Sequence, residues 1–95
     1  MNKDKIAILK LFVSPDHAAL TRSELLKKLD GIIDRVRLTV IDVKKDPHEA
    51  EQEKVLFTPT LIVEMQGTRT TFVGAGSIEK AGDMLFAEHG HANAS

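Results

Sequence analysis

The sequence predicts a single α/β domain whose strands and helices follow one another as β-α-β-α-β-β-α. Three observations predict it. Residues 5–13, KIAILKLFV, are nearly continuously apolar; a second apolar run, RVRLTVIDV at 35–43, follows a stretch with helical spacing; and two alternating segments flank Gln66-Gly67-Thr68. A near-continuous run of this length reads as a strand buried on both faces. Strand, helix and strand at this spacing favour parallel pairing through a right-handed crossover, and a short Gly-containing break between alternating segments favours an antiparallel hairpin. Ninety-five residues suffice for one core that buries roughly 60 to 70 per cent of the unfolded surface.

The elements follow in order. Ser14-Pro15-Asp16 breaks the first strand, because proline cannot extend the ladder and disfavours helix in the residue before it. From about His17, Leu25, Leu26, Leu29, Ile32 and Ile33 form one apolar helical stripe. This helix can start at Thr21 to Glu24, which has the capping-box form, or at Ser14 with Pro15 in the first turn. The second strand, 35–43, alternates through Val40 and then becomes apolar around Asp42, so its beginning is half exposed. Asp46-Pro47 reads as the N-cap and first turn of a short polar helix, with Glu49 and Glu51 where the helix dipole favours negative charge. Residues 60–65 and 69–73 form the hairpin. Ser77 is the expected N-cap of a last helix whose apolar side is Ile78, Ala81, Met84 and Leu85. The domain is expected to span 1–88, and 89–95 to be a frayed tail without apolar period. This order of elements is the thioredoxin-like arrangement.

The chain has no cysteine, which excludes disulfides, thiolate zinc sites, iron–sulfur clusters and any redox couple or nucleophile built on a thiol. Thirteen basic side chains stand against fourteen acidic ones, a formal charge of −1 with both signs interspersed. Nucleic acid is therefore not an expected partner. No apolar run approaches the roughly 18 residues of a membrane span, and no cleavage site follows the amino-terminal apolar run. The expectation is a soluble cytoplasmic protein.

Few residues offer chemistry, and each has a plain structural reading. Pro59, after Thr58 and before a strand, is a candidate cis-proline; in redox proteins of this arrangement the same loop faces a reactive cysteine pair, so here it keeps a structural or docking role. His17 near a helix start reads as an exposed helix-end histidine rather than a base, since no acid or nucleophile is aimed at it. His89 and His91 read as tail residues rather than a metal pair. Asp42 in the apolar strand, where a charge is costly, reads as a strand-terminal carboxylate near the following turn rather than a catalytic acid. Glu49, Glu51 and Glu53 with Lys44, Lys45 and Lys54 read as a solvated charged face. Gly74-Ala75-Gly76 lacks the remaining positions of a nucleotide fingerprint. No enzyme site and no cofactor are expected.

LKLFV at 9–13, VIDVKKDPHEAEQEKVLFTPTL at 40–61 and Glu79-Lys80 in the last helix resemble the KaiB family of clock proteins and their bacterial homologues. The likeness spans most of the chain, and the fixed spacing of VIDV, Asp46-Pro47 and Thr58-Pro59-Thr60 is specific. It implies a non-enzymatic, homo-oligomeric protein that docks on the ATPase ring of a KaiC-like partner in a clock, timer or stress-response system. It also implies exchange between a thioredoxin-like state and a ground state whose carboxy-terminal half is arranged differently. The paucity of large apolar anchors expected after Pro59, together with Gly74, Gly76 and Gly82, is consistent with such an exchange. The KaiB-like amino-terminal domain of a sensor histidine kinase is the nearest alternative within the resemblance, and these residues carry no kinase segment.

The resemblance assigns roles residue by residue. Lys54 matches a family lysine implicated in KaiC binding. Arg37 and Thr39 stand where the family has a small residue and a lysine that meet KaiA, and Thr70 and Thr71 replace a basic pair, which weighs against KaiA binding. The Gly-x-Asp that sets the family's fold balance falls on Met84 and Phe86, and Gly82-Asp83 lies out of register with it. Outside the resemblance, the alternative is a cysteine-free thioredoxin-like domain acting as a small-molecule binder or a structural oligomer module.

Overall fold

Alternation along the first strand divides the molecule into two unequal layers. The computed structural model describes residues 5–89. In β1 (Ala7–Val13), Ala7, Leu9, Leu11 and Val13 face one side of the sheet, and Ile8, Lys10 and Phe12 face the other. A 3-10 turn, Pro15–His17, runs into α1 (Ala18–Lys28), and a second, Ile33–Arg35, leads to β2 (Val36–Asp42). Then come α2 (Pro47–Gln52), β3 (Thr60–Met65), β4 (Thr68–Val73) and α3 (Ser77–His89). The sheet order is β2-β1-β3-β4, with β1 parallel to β2 and antiparallel to β3, and β3 antiparallel to β4. This is the expected thioredoxin-like α/β arrangement.

The core side of the sheet packs Leu9, Leu11, Val13, Leu61 and Val63 against Leu25 and Leu29 of the first helical region and Ile78, Ala81 and Leu85 of α3. The opposite side has a smaller cluster, Phe12, Ile41 and Ile62 under Ala50 of α2, with Val43 and Val55 at its border. A six-residue helix cannot cover four strands. Ile8 is consequently 42% exposed, and Lys10 is half-buried. The expectation of a first strand buried on both faces thus holds for its carboxy-terminal half only.

Several local expectations are revised. Thr21 caps nothing; it sits inside α1 and is buried, the helical segment having started behind Ser14-Pro15. The stripe through Ile32 and Ile33 leaves the helix at Lys28, because the chain reverses through Gly31 at φ +100°; Ile32 is nevertheless buried. The hairpin closes on two residues, Gln66 and Gly67, both with positive φ as tight primed turns require, so β4 starts at Thr68. Ser77 is the first residue of α3, and its buried hydroxyl has no hydrogen-bond partner among the described residues. β3 supplies three large buried anchors, Leu61, Ile62 and Val63, which corrects the sparse core expected after Pro59; β4 does expose its alternate residues. His89, the first residue of the expected frayed tail, is the last residue of α3; His91 and its neighbours lie outside the described residues.

Candidate functional site

The end of α2 is closed by a pair of backbone hydrogen bonds, from the Lys54 N–H to the Glu51 carbonyl (3.0 Å) and from the Val55 N–H to the Ala50 carbonyl (2.9 Å). That pattern requires a left-handed residue, normally glycine, just past the helix. Lys54 occupies it with φ 59°, a conformation that disfavours a side chain carrying Cβ. Its ammonium is exposed and has no ion pair among the described residues. Val55, next along, packs on the small cluster beside Ala50.

Leu56 and Phe57 follow, 84% and 67% exposed. Their segment is held at its far end: the Thr60 hydroxyl donates to the Phe57 carbonyl (2.6 Å), and the Gly74 N–H donates to the Pro59 carbonyl (2.8 Å). The Thr58–Pro59 peptide bond is cis. Val73, the cross-strand partner of Thr60, is 55% exposed. The sequence reading singled out Lys54 and Pro59 and missed Leu56 and Phe57. Their signal was a pair of large apolar residues outside any helical or strand period.

Glu49 and Glu53 are more than a solvated face. Lys10 reaches Glu49 (3.2 Å) and Glu53 (2.9 Å) from β1, and Arg69 on β4 pairs with Glu53 and approaches Glu64 (3.8 Å). This network fastens α2 to the sheet where apolar cover is thin. Asp42 behaves as a strand-end carboxylate, accepting the N–H groups of Lys44 (2.8 Å) and Lys45 (3.3 Å).

On the other side of Pro59 lies a cleft of about 360 Å³, lined by Ser14, His17, Thr21, Glu24, Pro59 and Ile78 among others. The Ser14 hydroxyl and His17 Nδ1 are 3.3 Å apart. Glu24 shares the cleft, but no hydrogen bond or ion pair joins it to His17 among the described residues, and the chain has no thiol, so no nucleophilic arrangement is completed there. No group of three or more potential metal-ligating side chains occurs among the described residues, and none of their helices is long and apolar enough to cross a membrane. Met84 and Phe86 are half-buried against the main core, far in the chain from Lys54 and Pro59. Their neighbour Gly82 matters sterically: a Cβ there would lie 2.4 Å from Lys28 Cγ. Lys28 crosses α3 at that point to reach Asp83 (2.9 Å) and Glu79 (3.0 Å), and these hydrogen bonds, Asp83 first, raise its pKa above the usual lysine value.

Fold and site together define a thioredoxin-like protein without thiols, whose distinguishing surface is an exposed apolar and cationic segment ahead of the proline loop. Its backbone superposes on the germline-specific thioredoxin Deadhead of Drosophila melanogaster (TM-score 0.69, 23% identity, covering 88% of this chain and 81% of that one). It superposes equally on the amino-terminal domain of Synechococcus elongatus SasA (TM-score 0.68, 21% identity, 86% and 81%). The model of the KaiB domain matches residues 10–86, and the chain belongs to the KaiB family. The circadian clock oscillator protein KaiB of Thermostichus vulcanus is 40% identical over 62 residues, 60% of this chain and 56% of that protein's length.

Proposed function

We propose that this chain is a cytoplasmic, non-enzymatic clock-type protein that docks on a KaiC-like ATPase through the segment from Lys54 to Phe57. The observation that carries the reading is Lys54 itself. A cation with no ion pair among the described residues stands at a left-handed position where glycine would be less strained. Non-glycine residues in that conformation persist where the surroundings fix them, and they concentrate at functional sites. The family membership supports the clock-type role, since the relatives are named as circadian clock oscillator proteins, and the KaiC-like partner is what the sequence resemblance implies.

The reading includes a homo-oligomeric resting state and exchange of the part after Pro59 with a second arrangement, which the exposed alternate residues of edge strand β4 favour. KaiA binding is left out, because Arg37, Thr39 and Thr71 are exposed where the family's contact residues differ. Size-exclusion chromatography of the chain, alone and after hours with the KaiC-like ATPase of its own genome and nucleotide, tests the assignment. Slow co-elution is expected, and absence of co-elution at every time contradicts it. The cleft beside Pro59 favours a second reading, a small-molecule binder; a thermal upshift with a metabolite set in place of ATPase binding would select it.

A further inference from the structure

We propose that Leu56 and Phe57 are the apolar anchors of this docking surface, and that they enter an apolar pocket of the ATPase rimmed by carboxylates. This rests on the partner-binding reading above. Large side chains exposed singly are ordinary, but these two are consecutive. The segment is fastened on both sides, by the Val55 and Lys54 hydrogen bonds to α2 and by those of Thr60 and Gly74 to the Phe57 and Pro59 carbonyls. Anchors presented on a fixed backbone lose little freedom on binding. An aromatic anchor seated in a pocket is also the kind of residue that carries most of an interface's free energy.

Charge decides the occupant. Lys10, Lys28 and Arg69 each have carboxylate partners, whereas Lys54, directly before the patch, has none among the described residues. A carboxylate on the partner completes it. A second copy fits less well, since a two-fold pairing of this patch brings two Lys54 cations to one interface. A polyanion fits less well still, since a single lysine beside apolar side chains does not form a phosphate-tracking groove.

Titration of the KaiC-like ATPase with the full chain and three variants tests this. Phe57→Asn is expected to weaken binding about 30-fold and Leu56→Asn about tenfold, with thermal midpoints unchanged because both side chains are exposed. Lys54→Gly keeps the left-handed backbone and removes the charge; it is expected to weaken binding about fivefold and to reduce its salt dependence. If the unaltered chain binds and both asparagine variants bind within about twofold of it, the anchors are wrongly assigned and the partner reading stands. If the unaltered chain does not bind, the partner reading falls and the anchors with it. Self-association abolished by Phe57→Asn would overturn the choice of occupant in favour of a second copy.

Discussion

On the side of the sheet covered by α1 and α3, β1 and β3 bury Leu9, Leu11, Leu61 and Val63 completely under two helices. On the opposite side α2 covers a smaller cluster, Phe12, Ile41 and Ile62 with Val43 and Val55 at its border, and leaves Ile8 exposed. The same sheet is thus held by apolar burial on one side and by a short helix with an ion network on the other. Stability resides chiefly on the first side. The second can end in an exposed segment at little cost, because Leu56 and Phe57 belong to neither core cluster among the described residues.

The largest effect expected from this division concerns two residues of similar size. Leu61→Ala removes a wholly buried side chain and should cost about 3 kcal/mol, whereas Ile8→Ala on the thin side should cost less than about 1 kcal/mol. Chemical denaturation measures both, and equal costs would break the contrast. Next, Glu53→Gln should weaken the attachment of α2 by about 1 kcal/mol, since its partly sheltered carboxylate serves Lys10 and Arg69 together. The loss should shrink in high salt; a salt-independent loss would point to packing instead.

Gly82→Ala tests the covered side at its tightest helix crossing. Alanine favours a helix interior by about 1 kcal/mol, but its Cβ would overlap Lys28, so the substitution should give no gain or a net loss. Combined with Lys28→Ala it should recover the helix preference, a coupling that a double-mutant cycle reads directly. Lys28 also has a pH signature. Its pKa is raised in the fold, so its contribution is complete below the ordinary lysine value and fades as pH rises through the raised one. Lys28→Ala should therefore flatten the alkaline fall in Tm. The smallest effect has the opposite sign: Lys54→Gly relieves a left-handed side chain and should stabilise by about 0.5 to 1 kcal/mol, while the proposed docking role of Lys54 predicts weaker partner binding.

The element order was legible because each strand is a short run rich in β-branched and large apolar residues bounded by Pro, Gly or Asp, and because Asp46-Pro47 opens α2 as read, although its N-cap side chain makes no cap bond. What escaped the sequence depends on distant partners. The stripe at Leu25 to Ile33 says which residues are apolar, but Gly31 turns the chain before the stripe ends. Ser77 has the composition of a cap and is placed one residue too far into the helix to act as one. Lys10 and Glu53 are 43 residues apart, so no local pattern links them. Lys54 was found through family resemblance, whereas the sequence marks Leu56 and Phe57 only as apolar residues outside any period, and their exposure is established by α2 stopping short of them.

Amide hydrogen exchange of this chain with and without the KaiC-like ATPase tests most directly the claim that recognition occurs at the rim of the thin side. The account predicts new protection confined to residues 54–57 and the neighbouring end of β4 around Val73, while α1 is unchanged. Protection gained along α1 or in the cleft beside His17, with none at 54–57, would contradict it.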